Sequence, residues 1–193
     1  MTDKRILKTR QALKSTLIDM MKSQPFQKIR VKDLCEQANT SKLTFYTHYD
    51  DKYALLQDVA FDMEQEVMEK YMELKEQDVS ENDIVQHNRH LLQAILYVRD
   101  KYKQVFDLAK KEKSYSFFMF FCEELINAFS DKDRFLIDIV KMKYPPFEIS
   151  AFLIAGMWGY TYAAKKNNVS ETLLHEQLID LATDLSKSNI FLD

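Results

Sequence analysis

Between Ser41 and Tyr49 the chain places Lys42, Leu43, Thr44, Tyr46, Thr47 and His48 within a few residues of one another. These types suit contact with duplex DNA. An ammonium, two hydroxyls and an imidazole can bond base edges, Leu43 can touch a thymine methyl, and the Tyr46 hydroxyl can reach a phosphate. A helix that enters a major groove needs short polar side chains and a cation near its N-terminus, where base edges lie closest. Lys52, just beyond, adds a charge contact that positions without specifying sequence. Phe45 and Tyr49 stand one turn apart and are read as core. The plainer alternative makes the polar residues an ordinary solvated face.

Other chemistry finds little to stand on. The sequence has no GxSxG, P-loop or GxGxxG pattern and no credible Cys-His pair. With two glycines in 193 residues, a phosphate-cradling loop has nothing to be made of. Asp83, His87 and His90 share one helical face, yet no HExxH or nearby Cys accompanies them, so they are read as surface polar residues rather than metal ligands. No enzyme, cofactor or metal is expected.

The elements that must position Ser41–Tyr49 are set by spacing. Leu34 and Ala38 give a preceding helix from about Val31 one apolar stripe. Between the two lie Asn39, Thr40 and Ser41: Asn tolerates a left-handed turn and Ser caps the second helix. Two short helices about such a turn form a helix-turn-helix. Upstream, Ile6, Leu13, Leu17 and Met20 predict an amphipathic helix that ends near Ser23, ahead of Pro25, with Phe26 filling the gap behind it. Downstream, Asp50 and Asp51 open a long helix to about Gln77 carrying Leu55, Leu56, Val59, Met63, Val67 and Leu74. The expected division is a DNA-binding domain over residues 1–52 and a helical effector-binding and dimerisation domain over 53–193.

Composition agrees. Two Gly and three Pro imply an almost wholly helical chain. The net charge is −3, but residues 1–52 carry 11 Lys/Arg against 6 Asp/Glu, so a basic module for a polyanion adjoins an acidic body. Cys35 and Cys122 lack CxxC spacing, as expected of reduced thiols in a cytoplasmic protein. The uncharged run 149–164 is shorter than the ~20 residues needed to cross a bilayer, so no membrane role is expected.

Residues 29–56, IRVKDLCEQANTSKLTFYTHYDDKYALL, resemble the DNA-binding module of tetracycline-repressor (TetR) family regulators. Ala38, Ser41, Thr44, Phe45, Tyr46, His48, Tyr49, Lys52 and Leu55 match the family pattern, and the likeness extends over about residues 5–60. Asn39 replaces the usual turn Gly and Thr40 an apolar turn residue. Arg30 stands where Thr normally caps the second helix, and adds a candidate phosphate contact. The resemblance implies an all-α protein of about nine helices, with a three-helix module and a C-terminal helical bundle. It further implies a homodimer on a palindromic operator, an unknown small-molecule effector, and a ligand-responsive repressor of transcription. A co-activator or ligand carrier acting through protein contacts is the alternative.

Two features of the C-terminal half bear on that expectation. Ala151, Ala155, Gly159 and Ala163 recur every four residues, a small-residue stripe that admits another helix closely, with Tyr162 beside it. A dimer seam is the preferred account and packing within one subunit the alternative. Tyr97, Phe106, Phe117, Phe118, Phe121 and Trp158 are candidates for an apolar effector pocket. Plain core is the favoured reading for them.

Overall fold

The computed structural model describes residues 4–77, 84–111, 122–123, 126 and 144–188. Among these the chain is helical and forms two compact units. The first comprises residues 1–63 and 101–121, the second 64–100 and 122–193.

In the first unit α1 (Lys4–Met21) is followed by a single 3-10 turn (Phe26–Lys28), α2 (Val31–Gln37), α3 (Lys42–His48) and the start of α4 (Lys52–Glu76). Pro25 prevents α1 from continuing and its extended backbone launches the turn, which delivers Phe26 and Ile29 to the core. Leu13 and Leu17 of α1, Leu34 of α2, Phe45 of α3 and Leu55 and Leu56 of α4 are wholly buried. Each such side chain contributes roughly 1.5–3 kcal/mol of transfer free energy. The short helix α6 (Lys103–Lys111) adds Val105 and Phe106 to the buried set of this unit.

The α2–α3 turn has a specific cause. Asn39 adopts φ 51°, the Thr40 amide bonds the Cys35 carbonyl at 2.9 Å, and the Asn39 amide bonds Glu36 at 3.3 Å. This is a Schellman ending with Asn in the left-handed position usually held by Gly. Thr40 thus serves through its backbone, whatever the polarity of its side chain. Ser41 then caps α3, its Oγ accepting from the Thr44 amide at 3.0 Å. Arg30 makes no side-chain cap on α2, and Asp33 in the first turn supplies the favourable charge instead.

The second unit holds the rest of α4, α5 (Ile84–Lys101), α7 (Pro146–Lys166) and α8 (Glu171–Ser186). Leu92 and Leu96 of α5, Ala164 of α7, and Leu174 and Leu178 of α8 form one apolar cluster. Asn168, at φ 58°, repeats the Schellman ending between α7 and α8, and Ser170 caps α8. Both thiols are buried, and burial pushes Cys35 up and Cys122 up to about 12. The apolar run containing Phe117, Phe118 and Phe121 lies outside the described residues. Among the described residues, no helix is long and apolar enough to cross a membrane.

Replacing Asn39 by Ala should cost about 1 kcal/mol in urea unfolding, because Ala keeps the Cβ but loses the short amide that eases Asn into positive φ, while Asn39→Gly, with no Cβ, should be neutral or stabilising. Equal losses for both would show that the side-chain amide, rather than the backbone, sets the turn.

Candidate nucleic-acid interface

The helix α3 is anchored by one face and open on the other. Phe45 is 0% exposed and Tyr49 5%, whereas Leu43 is 81% and Tyr46 55% exposed. Lys42 and Thr47 share the open face, with Thr44 and His48 half-buried at its edges. The polar and apolar stripes expected from spacing therefore separate as predicted by the 3.6-residue period. An 81% exposed leucine gains nothing from its own fold. Its presence beside a lysine and two threonines suits a groove.

Local bonds limit what these groups can offer. The Thr47 hydroxyl donates to the Leu43 carbonyl at 2.9 Å, leaving its lone pairs as acceptors. Thr44 Oγ1 lies 2.8 Å from Ser41 Oγ. Arg30 is exposed and forks onto Asp33, at 2.8 Å from Nε and 3.3 Å from Nη2, which raises its pKa. That pairing partly cancels the charge it could bring to a phosphate.

Lys52 requires a correction. Its ammonium donates to the carbonyls of Phe26, Gln27 and Ile29, each at 3.0 Å, and lies 4.6 Å from the Phe26 ring centre. All three protons are thereby used. Burial lowers its pKa, against the nearby charge of Asp51. Lys52 thus gathers the carbonyls at the open end of the 3-10 turn, that of Phe26 also accepting from the Ile29 amide at 3.1 Å. In this structure it clamps the turn, with its three protons turned to backbone carbonyls.

A second set of residues escapes sequence reading. The Tyr49 hydroxyl donates to Asp58 Oδ2 at 2.5 Å, and Arg10 Nη2 reaches the same oxygen at 3.0 Å. Lys14 lies 3.6 Å from it and 2.5 Å from Asp62. The end of α3 is thus tied to α1 and α4 through one carboxylate. Burial works to raise the Asp58 pKa, but bonds from Tyr49 and Arg10 and the charge of Lys14 outweigh it, and the carboxyl sits below its ordinary value. Burial, then the bond to Asp58, raises Tyr49, which stays a protonated donor.

The remaining candidates fall elsewhere. Tyr97 is 50% exposed, its ring 5.2 Å from the Lys70 ammonium. Phe106 is buried within the first unit, while Trp158 is half-buried in the second. Ala155, Gly159, Tyr162 and Ala163 lie exposed on α7, with Ala151 half-buried. His87 corrects the surface reading. Tyr71 Oη lies 2.8 Å from its Nδ1, and burial, then the charges of Lys75 and His90, lowers it to about 4. Asp100, Glu171 and His175 bring donor atoms within 4.8 Å of one another. Arg99 Nη2, however, lies 2.6 Å from His175 Nε2 and 2.9 Å from Asp100, and Lys165 lies 3.6 Å from Glu171. Two cations already balance the two carboxylates, which leaves no charge for a metal to neutralise.

Because Asp58 is depressed in the fold, its contribution is present above its unfolded value and lost as pH falls through the folded one. Asp58→Asn should therefore be destabilising at pH 7, with the gap to wild type narrowing as pH falls below about 4. A gap that stays constant from neutral pH to about 2.5, measured by urea unfolding, would show that charge is irrelevant there.

No family model matches the chain. Over 56 residues it is 36% identical to the uncharacterized HTH-type transcriptional regulator YxbF of Bacillus subtilis, a match spanning 28% of this chain and 15% of that protein. A solved structure of a regulator assigned to the TetR family from Syntrophomonas wolfei aligns with TM-score 0.70 at 14% identity, covering 93% of this chain and 95% of that one. A second, assigned to the same family, from Shewanella, aligns with TM-score 0.56 at 17% identity over 92% and 97% of the two chains. The reduced form of NemR from E. coli aligns with TM-score 0.51 at 16% identity over 95% and 97%. This chain has the all-α fold of the TetR-family transcriptional regulators.

Proposed function

We propose that this protein is a sequence-specific DNA-binding transcription regulator, acting as a dimer on a palindromic operator and released by a small-molecule effector. The observation that carries the reading is the open face of α3, where Lys42, Leu43, Tyr46 and Thr47 project from a helix whose opposite face is fully buried. In the proposed complex Lys42 and Tyr46 meet phosphate or base edges near the helix start, Leu43 and Thr44 meet bases, and Thr47 and His48 complete the contact. Arg30 contributes from the adjoining helix.

A dimer is supported by the surface of α7. Phe152 at 64% and Tyr162 at 63% exposure flank Ala155, Gly156, Gly159 and Ala163, all exposed, and α8 adds Leu173 and Leu181 at 44% and 40%. A Cβ built on either glycine meets nothing within 4 Å. Each glycine costs the helix roughly 1 kcal/mol against Ala, and no contact among the described residues repays it. A second copy, with its α7 laid against this stripe, does. Two recognition helices in such a pair would read half-sites about 34–36 Å apart. An effector bound in the second unit would favour an arrangement that loses this match. The proposed site of action is the cytoplasm.

The DNA reading is tested by selecting bound fragments from random duplexes at fixed salt. A palindrome is expected, and no enrichment overturns the reading. On that operator Lys42→Ala should weaken binding and, if it meets phosphate, flatten the log–log salt slope by about one unit. Lys52→Met should lower stability with the slope unmoved. The dimer is tested by Gly159→Leu, which should yield a folded monomer in analytical ultracentrifugation. A dimer of unchanged affinity would move the seam elsewhere.

A further inference from the structure

The helix α5 carries two arginines whose surroundings differ. Arg99 is matched by the Asp100 carboxylate and the His175 ring. Arg89 lies about three turns earlier and is half-buried. Its Nε is sealed from solvent and has no hydrogen-bond partner, and its Nη2 makes a single long contact, 3.5 Å to Thr183 Oγ1 on α8. The Thr183 proton is itself given to the Ile179 carbonyl, so Thr183 can only accept from the arginine. No carboxylate among the described residues pairs with this guanidinium. Next to it Asn88 is used in a bond to Ser186 Oγ at 2.8 Å, and Ser186 donates to the Ala182 carbonyl, so these neighbours have no anion to offer.

A guanidinium with no carboxylate partner among the described residues is costly within a helix seam, and its unsatisfied edge is specific. Nε and Nη2 lie on the same side of the planar group, the pair of parallel donors that matches two oxygens of a carboxylate or phosphate. Leu92, one turn along α5 from Arg89, and Ile179 and Ala182, within a turn of Thr183 on α8, belong to one apolar cluster. We propose that Arg89 anchors the oxyanion of the effector, a carboxylate or phosphate on an apolar body, through its Nε–Nη2 edge. This rests on the effector-responsive reading and gives the effector its chemistry. Because Nε is sealed, the oxyanion reaches it only when α5 and α8 part near Thr183. The same helix α8 bears the exposed Leu173 and Leu181, which the proposed function gives to the subunit seam.

The test uses the full chain without DNA, with Trp158, its one tryptophan, as fluorescent reporter. The probes are decanoate, decyl phosphate and decanol. At least one anion should bind tenfold or more tightly than decanol. Arg89→Gln should abolish that preference while leaving decanol unchanged, and Arg89→Lys should retain part of it. Whichever anion is preferred tells a free acid from a phosphorylated ligand. Without ligand, Arg89→Met should melt a few degrees above wild type, since it removes an unpaired charge at similar volume. The proposal is overturned if no probe binds, if decanol binds as well as both anions, if Arg89→Gln keeps the preference, or if Arg89→Met melts lower. A wild type that binds an anion but no DNA would sink the regulator reading alone. One that binds its operator and ignores both anions would sink this proposal alone.

Discussion

The aspartate at position 58 is where the first unit is tied together. A phenol from the end of α3, a guanidinium from α1 and an ammonium one turn further along α1 converge on it. Without that convergence α3 would be held by its turn to α2 and the rings of Phe45 and Tyr49, and a seven-residue helix has little stability of its own. The charges are only partly withdrawn from water, so the network's worth lies less in energy than in direction. Apolar contact tolerates rotation about the helix axis, whereas a hydrogen bond at 2.5 Å does not. Presentation of Leu43, Tyr46 and Thr47 at a fixed angle depends on this.

Lys52 is the complementary constraint, acting ahead of α2. Its ammonium closes the 3-10 turn before α2 while its backbone begins α4. The helix-turn-helix is thus held between two side chains that never touch its exposed face. Residues that resemble DNA contacts by position can instead be what keeps the contacts in place.

The limits of sequence reading are physical ones. Helix identities within residues 4–77 are legible because each rests on local spacing, a proline or a cap. The separation of the α3 faces is legible for the same reason. The role of Lys52 is not, because its carbonyl partners lie 23 to 26 residues away and are defined only by the fold. The Tyr49 ring belongs to the core as its spacing implies, but its hydroxyl has no visible partner until α4 is placed. His87 is misread as a surface residue because polarity in sequence does not reveal burial. Arg89 gives no signal, because an arginine attracts notice only once the missing carboxylate is seen. In the C-terminal half, the small-residue stripe is legible as a pattern, while its exposure is not.

The state of the two thiols has a consequence for chemistry. Burial pushes the Cys122 thiol up to about 12, and Cys35 is shifted in the same direction by the same withdrawal from water, so both rest as thiols at neutral pH. Since only the thiolate attacks, neither side chain is primed to react with peroxide, quinones or alkylating agents. Each thiol becomes available to such reagents only when the fold around it opens.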